Sequence, residues 1–228
     1  MNLLARLAFL LPLLLPCHVL AQDAPPQQVF ASGTGGGPVV VMLSGRTGAQ
    51  AYAPSAQKIA DAGFNVVLVD ANELYGKDTR KVWTLLRGII TRAQANRPGK
   101  VGVVGYSLGG GLALAYAARM PDLVATVVLA YPATSFVKDP ADFIAKTKVP
   151  VHIHAGVDDS FENCCLIGTA RQLAQAAAAS PPPILTLTEY PGVGHGFNLP
   201  TASAKELSAG EEAMNRTIAQ LKQALAAP

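Results

Sequence analysis

The chain has 228 residues, half of them hydrophobic and 14% charged, with 18 basic against 15 acidic side chains. The formal net charge of +3 is spread without a basic run or an interleaving of basic and aromatic residues. Nucleic acid and anionic membrane surfaces are therefore not indicated as partners.

The first residues read as an export signal. Arg6 supplies positive charge, residues 7–15 are an apolar stretch too short and too interrupted by proline (Pro12, Pro16) to span a bilayer, and Val19-Leu20-Ala21 fits a small-residue cleavage site. Residues 1–21 are expected to be a secretory signal peptide, cleaved near Ala21, which would make the protein secreted or periplasmic. Leu14-Leu15-Pro16-Cys17 loosely resembles a lipid-attachment signal, but a proline stands where a small residue is needed. Residues 22–37, rich in Pro, Gly and Gln, are expected to be a flexible leader. Their glycines precede a strand and lack the Gly-Lys-Ser/Thr ending of a phosphate loop.

From residue 38 to 228 a single domain is expected. Apolar runs rich in Val and Ile at 39–43, 65–69, 101–104, 124–130, 149–154 and 184–188 predict strands. Helical patterns at 53–62, 79–97, 109–120, 164–179 and 203–225 alternate with them. Strands apolar on both faces and separated by helices predict an α/β domain, a doubly wound, mostly parallel sheet covered on both sides. Ligands of such sheets bind outside the carboxyl ends of the strands.

Three motifs stand at such ends. Gly105-Tyr-Ser-Leu-Gly109 lies between a strand and a helix, the context in which Gly-x-Ser-x-Gly is a nucleophile elbow. Gly156-Val-Asp-Asp159 and Tyr190-Pro-Gly-Val-Gly-His195-Gly-Phe197 follow later strands, giving the order Ser, Asp, His that this fold uses. A serine hydroxyl is a poor nucleophile unaided, so His195 would take the proton of Ser107 and return it to a leaving alcohol, while a carboxylate orients the imidazole.

Other residues compete for attention. His152 and His154 alternate on one strand and could pair on a metal with a neighbouring Asp, although a His-x-His pair lacks metal specificity by itself. Cys164 and Cys165 are adjacent, and two thiols at the start of a helix are expected in preference to a vicinal disulfide, whose ring a regular helix does not accommodate. They are expected to shape the loop that carries the acid rather than to act as nucleophiles. Phe136, Phe161 and Phe197 fall in loops where they could line a site or pack the loops down. The 18 residues between Ala130 and Val149 are too few for a large lid.

Several segments resemble the dienelactone hydrolase family of α/β-hydrolases, in its bacterial branch with a serine nucleophile. They are Val41-Met-Leu-Ser-Gly45, Leu74-Tyr-Gly76, Gly105-Tyr-Ser-Leu-Gly-Gly110, Asn163-Cys-Cys-Leu-Ile167 and the stretch from Tyr190 to Phe197, within a similarity running from about Val39 to Leu225. The resemblance implies the α/β-hydrolase fold with a minimal lid and a serine hydrolase cleaving a small ester or lactone. It places the acid three residues after the strand-ending glycine, which selects Asp159 over Asp158. In this fold the oxyanion is held by backbone N–H groups after the nucleophile and after the first strand, here Leu108 and Arg46. The enzymes that give the family its name use cysteine where this chain has Ser107, so dienelactone itself is not implied. No cofactor or metal is expected, and the protein is read as a monomer. A secreted α/β-hydrolase fold that only binds its ligand is the alternative, because fold alone does not establish catalysis.

Overall fold

The computed structural model describes residues 25–226 except 34, 96, 98 and 180. The expected signal peptide, residues 1–21, lies outside the described residues. In chain order the elements are β1 (Gln27–Phe30), β2 (Val39–Leu43), α1 (Ala49–Asp61), β3 (Asn65–Val69), α2 (Thr79–Gln94), β4 (Val101–Tyr106), α3 (Ser107–Ala115), β5 (Val124–Ala130), α4 (Pro140–Lys146), β6 (Val151–Gly156), α5 (Ile167–Ala177), β7 (Leu185–Tyr190) and α6 (Ala204–Leu225).

The strands form one sheet in the order β1-β3-β2-β4-β5-β6-β7. All neighbours are parallel except β1, which runs antiparallel to β3. Side chains alternate between its faces, as the strand period requires. Along β2, Val39, Val41 and Leu43 enter a layer with Ile89 of α2, Leu114 of α3 and Leu173 of α5. Val40 and Met42 enter the opposite layer with Ile59 of α1 and Met214 of α6. Each fully buried aliphatic side chain contributes about 1.5–3 kcal/mol, so burial on both faces explains why the Val-rich runs specify the central strands. The α/β-hydrolase-like, doubly wound arrangement expected from the sequence is the one observed.

This topology locates a site. The chain steps from β2 outward to β3, then crosses back to β4 on the other side of β2. The loops leaving β2 and β4 therefore diverge at a switch point, where ligand crevices form in open parallel sheets.

Three expectations are corrected. The leader is not wholly without structure, since residues 27–30 form β1, with Gln27 opposite Val69 and Phe30 opposite Val66. Phe30 packs against the core while Val29 is 71% exposed. Two apolar residues gave too weak a pattern to announce a strand, but pairing them with β3 covers an otherwise open sheet edge. Helix α4 was not expected; Asp139 caps it by accepting from the Asp142 N–H at 3.0 Å, with Pro140 in its first turn. The helix expected from residue 164 begins only at Ile167. Among the described residues, no helix is long and apolar enough to cross a membrane.

Candidate active site

Ser107 sits where β4 turns into α3, with φ at 48°, a left-handed conformation that costs a non-glycine residue about 1–3 kcal/mol. The flanking glycines make the turn possible. A Cβ on Gly105 would lie 2.7 Å from the Gly109 oxygen, and one on Gly109 would lie 2.4 Å from the Ser44 oxygen. Instead the Gly109 N–H donates to Ser44 O at 3.0 Å, and the Ala133 N–H donates to Ser107 O at 2.9 Å. The elbow is thereby tied to the loops after β2 and β5.

The three residues selected from the sequence meet. Ser107 Oγ lies 2.9 Å from His195 Nε2, and His195 Nδ1 lies 2.7 Å from Asp159 Oδ2. Asp159 is 4% exposed and Ser107 7% exposed. With a carboxylate on Nδ1, the neutral imidazole carries its proton there and leaves Nε2 as the acceptor that faces the hydroxyl. The other oxygen of Asp159, Oδ1, accepts from the Phe161 N–H at 3.1 Å, so both carboxylate oxygens are engaged. Its neighbour Asp158 is exposed.

The imidazole is held on its faces and edges as well. The Phe161 ring stacks on it with centroids 4.7 Å apart and planes at 10°, and the Tyr131 ring meets it edge-on at 4.8 Å and 66°. Tyr131 follows β5 directly with φ at 39°, its N–H donating to His154 O at 2.7 Å. Its hydroxyl donates to Asn198 Oδ1, and Asn198 Nδ2 donates to Ser55 Oγ at 3.1 Å. Burial pushes the Tyr131 phenol well above its ordinary range, so it remains a neutral donor. The backbone beside the histidine is held from α6. There Ser203 and Glu206 form a capping box, and Glu206 Oε1 also accepts from the Gly194 N–H at 3.2 Å. Hydrogen bonds from Ser203 and Gly194 hold the Glu206 carboxyl below its usual range.

Sequence reasoning missed Tyr131, whose role depends on its position one residue past a strand. It also missed Glu206, although Ser203-x-x-Glu206 is a legible capping signature. A third omission is Asn72, whose Nδ2 donates to Arg46 O at 3.2 Å and to Asp70 Oδ1 at 2.8 Å. These bonds fix the loop after β2.

A cleft of about 510 Å³ opens over Ser107 and is lined by Arg46, Leu108 and the apolar side chains of Leu74, Val82 and Leu112. The two residues expected to offer backbone donors thus border the same space as the serine. Phe136 and Phe161 line it too, whereas Phe197 is fully buried and packs edge-on against Tyr131 at 5.0 Å. Arg46 Nη2 pairs with Glu162 Oε1 at 2.5 Å, and its guanidinium lies 5.8 Å from the centre of the Phe161 ring. Both charged groups are about half exposed, so the pair contributes little stability.

The cysteines require a correction. Cys164 and Cys165 are joined as a vicinal disulfide. They lie in a turn before α5 rather than in a helix, which removes the objection that a helical backbone cannot close the ring. Their placement beside the acid loop is as expected. Among the described residues, the group of three or more neighbouring His, Cys, Asp or Glu donors is Cys164, Cys165 and His195. Its sulfurs are bonded to each other and its ring nitrogens face Ser107 and Asp159, so it offers no free ligand set.

His152 and His154 are occupied inside the protein. His152 Nδ1 lies 2.8 Å from Thr186 Oγ1, and His154 Nδ1 and Nε2 lie 3.2 Å from the Tyr190 hydroxyl and 3.1 Å from Gln220 Oε1. Both nitrogens of His154 are thus committed, and burial pushes its pKa down to about 4. The alternative of a metal pair does not fit these contacts.

Residues 27–225 match the model of the dienelactone hydrolase family, and the chain belongs to that family. No curated protein matches it. Its fold is similar to an esterase of Thermogutta terrifontis, with TM-score 0.71 and 15% identity over 86% of this chain and 88% of that one. It is also similar to a dienelactone hydrolase-like promiscuous phosphotriesterase from metagenomic libraries, at 0.70 and 16% over 87% and 92%. Est1E from Butyrivibrio proteoclasticus matches at 0.61 and 16% over 85% and 93%.

Proposed function

We propose that this member of the dienelactone hydrolase family is a carboxylic ester hydrolase that cleaves a small ester or lactone through Ser107, His195 and Asp159. The observation that carries the reading is the unbroken chain of contacts from Ser107 Oγ through His195 to Asp159, at 2.9 and 2.7 Å. In this mechanism His195 Nε2 takes the hydroxyl proton as Ser107 Oγ attacks the substrate carbonyl carbon. The tetrahedral oxyanion is held by the N–H groups of Leu108 and Arg46, a donor of this kind being worth about 3–4 kcal/mol. His195 then protonates the leaving alcohol, and an acyl-enzyme remains on Ser107. A water molecule, giving its proton to His195, releases the acid and restores the serine.

The cleft of about 510 Å³ has the size of a small-molecule site, typically roughly 300–1,000 Å³. Its apolar wall of Leu74, Val82 and Leu112 suits an uncharged acyl or alcohol group. Only the short helix α4 stands between β5 and β6, in keeping with a minimal lid. We also propose that the chain is exported and cleaved near Ala21; the Cys164–Cys165 disulfide suits an oxidising compartment. The test is hydrolysis of nitrophenyl acetate and butyrate. Turnover without added metal is expected, with Ser107→Ala lowering kcat by about 10⁴-fold or more in a folded protein. A Ser107→Ala protein with near-normal turnover would remove the serine mechanism.

A further inference from the structure

The segment between β6 and α5 does more than supply an acid. It holds His195 twice, through the Asp159 carboxylate at 2.7 Å and through the stacked Phe161 ring at 4.7 Å. Yet its backbone is not one the chain prefers. Glu162 and Asn163 are both left-handed, at φ 47° and 53°, a conformation that asparagine tolerates but that costs a residue such as Glu162 about 1–2 kcal/mol. The turn must be held from outside.

Its C-terminal end is where it is held. Cys164 O accepts from the Thr134 N–H at 2.7 Å and from the Ser135 N–H at 3.0 Å, and the Cys164 N–H donates to Phe161 O at 2.9 Å. The disulfide then closes a small ring at the same point, joining Cys164, which lines the cleft, to Cys165, which is 3% exposed. The two sulfurs and a His195 ring nitrogen lie within 4.8 Å of one another.

We propose that the Cys164–Cys165 disulfide is a positioning element for His195, so that the oxidised chain is the competent hydrolase; the inference rests on the hydrolase reading above. Opening the bond removes the ring constraint on the Cys164–Cys165 peptide, whose Cys164 carbonyl anchors the turn that carries Asp159 and Phe161. It also replaces two bonded sulfurs by two thiols that need more room, and part of that room is taken from the imidazole. The histidine then no longer meets Ser107 and Asp159 together. A small dithiol can reach Cys164 from the cleft. It supplies two electrons and two protons, closing to its own cyclic disulfide as the S–S bond opens to two thiols.

The experiment compares oxidised protein with protein reduced by dithiothreitol, on nitrophenyl butyrate, with the two thiols counted by alkylation and mass. Both forms are assayed at a temperature at which their far-UV circular dichroism superimposes. Reduction is expected to lower kcat by about 10-fold or more with KM within about 2-fold, the pattern of an interaction made in the transition state. Reoxidation with diamide is expected to restore it. The Cys164→Ala/Cys165→Ala variant is expected to match the reduced protein and to ignore dithiothreitol. An unchanged kcat, a change in KM alone, or a reduced chain that is unfolded at every temperature overturns the proposal, since the bond then holds either nothing or the whole fold. Absence of turnover in both redox states instead defeats the hydrolase reading on which it rests.

Discussion

Replacing Asp159 by Asn isolates what the carboxylate does, because the change is nearly isosteric at a side chain 1% exposed. Two bonds depend on it, from His195 Nδ1 at 2.7 Å and from the Phe161 N–H at 3.1 Å. An amide has one acceptor oxygen in place of two. If that oxygen stays on the Phe161 N–H, the amide NH₂ faces the imidazole and favours the tautomer that puts a proton on Nε2, where the serine proton must go. The imidazolium also loses its counter-charge. Both effects are felt in the transition state, so Asp159→Asn should lower kcat by roughly 10³- to 10⁴-fold, about 4–5 kcal/mol. The stability cost should be that of a charged hydrogen bond, about 1.5–3 kcal/mol. Asp158→Asn alters an exposed side chain and should change stability by no more than about 0.5 kcal/mol, with kcat within about 2-fold. The assay is kcat on nitrophenyl butyrate near pH 8 beside thermal melts. A large loss in the Asp158 variant, or a loss below about 10-fold in the Asp159 variant, would refute the assignment.

His154 should make stability depend on pH. Its folded pKa of about 4 lies below the ordinary histidine value of 6.5, so its contribution is complete above 6.5 and is lost as pH falls toward 4. Between pH 7 and 5 the loss should be about 2 kcal/mol, lowering Tm by roughly 4–8 °C. His152, also shifted down by burial, acts in the same direction. Tyr190, Gln220, Glu212 and Arg216 surround His154. His154→Gln, which keeps a donor and an acceptor, should flatten the Tm–pH curve, and an unchanged slope would remove His154 as its cause. Intact-mass analysis of chain recovered from outside the cytoplasm should show a terminus at or near Gln22, whereas a diacylglyceryl group on Cys17 would overturn cleavage near Ala21.

The central strands were legible because Val-rich runs apolar on both faces have few other fates than a covered parallel sheet. Ser107 and His195 were legible from glycine-flanked motifs that follow the carboxyl ends of recognisable strands, whereas the choice of Asp159 over its neighbour Asp158 came from the family resemblance. Elements whose reasons are tertiary were harder to see. β1 exists because β3 has an edge to cover, and α4 is one capped stretch too short to show a period. Adjacent cysteines could not reveal their bond, since that depends on a turn set by contacts with residues 134 and 135. Tyr131 carried no chemical signature; it matters because the chain leaves β5 with its ring against the histidine.

The central claim is that Ser107 is an activated nucleophile, and reaction with a fluorophosphonate tests it without knowledge of the substrate. The oxidised protein should take up one label per chain, mapped to Ser107 by peptide mass, and Ser107→Ala should take up none. A folded, oxidised chain that remains unlabelled, or one labelled on another residue, would contradict the account.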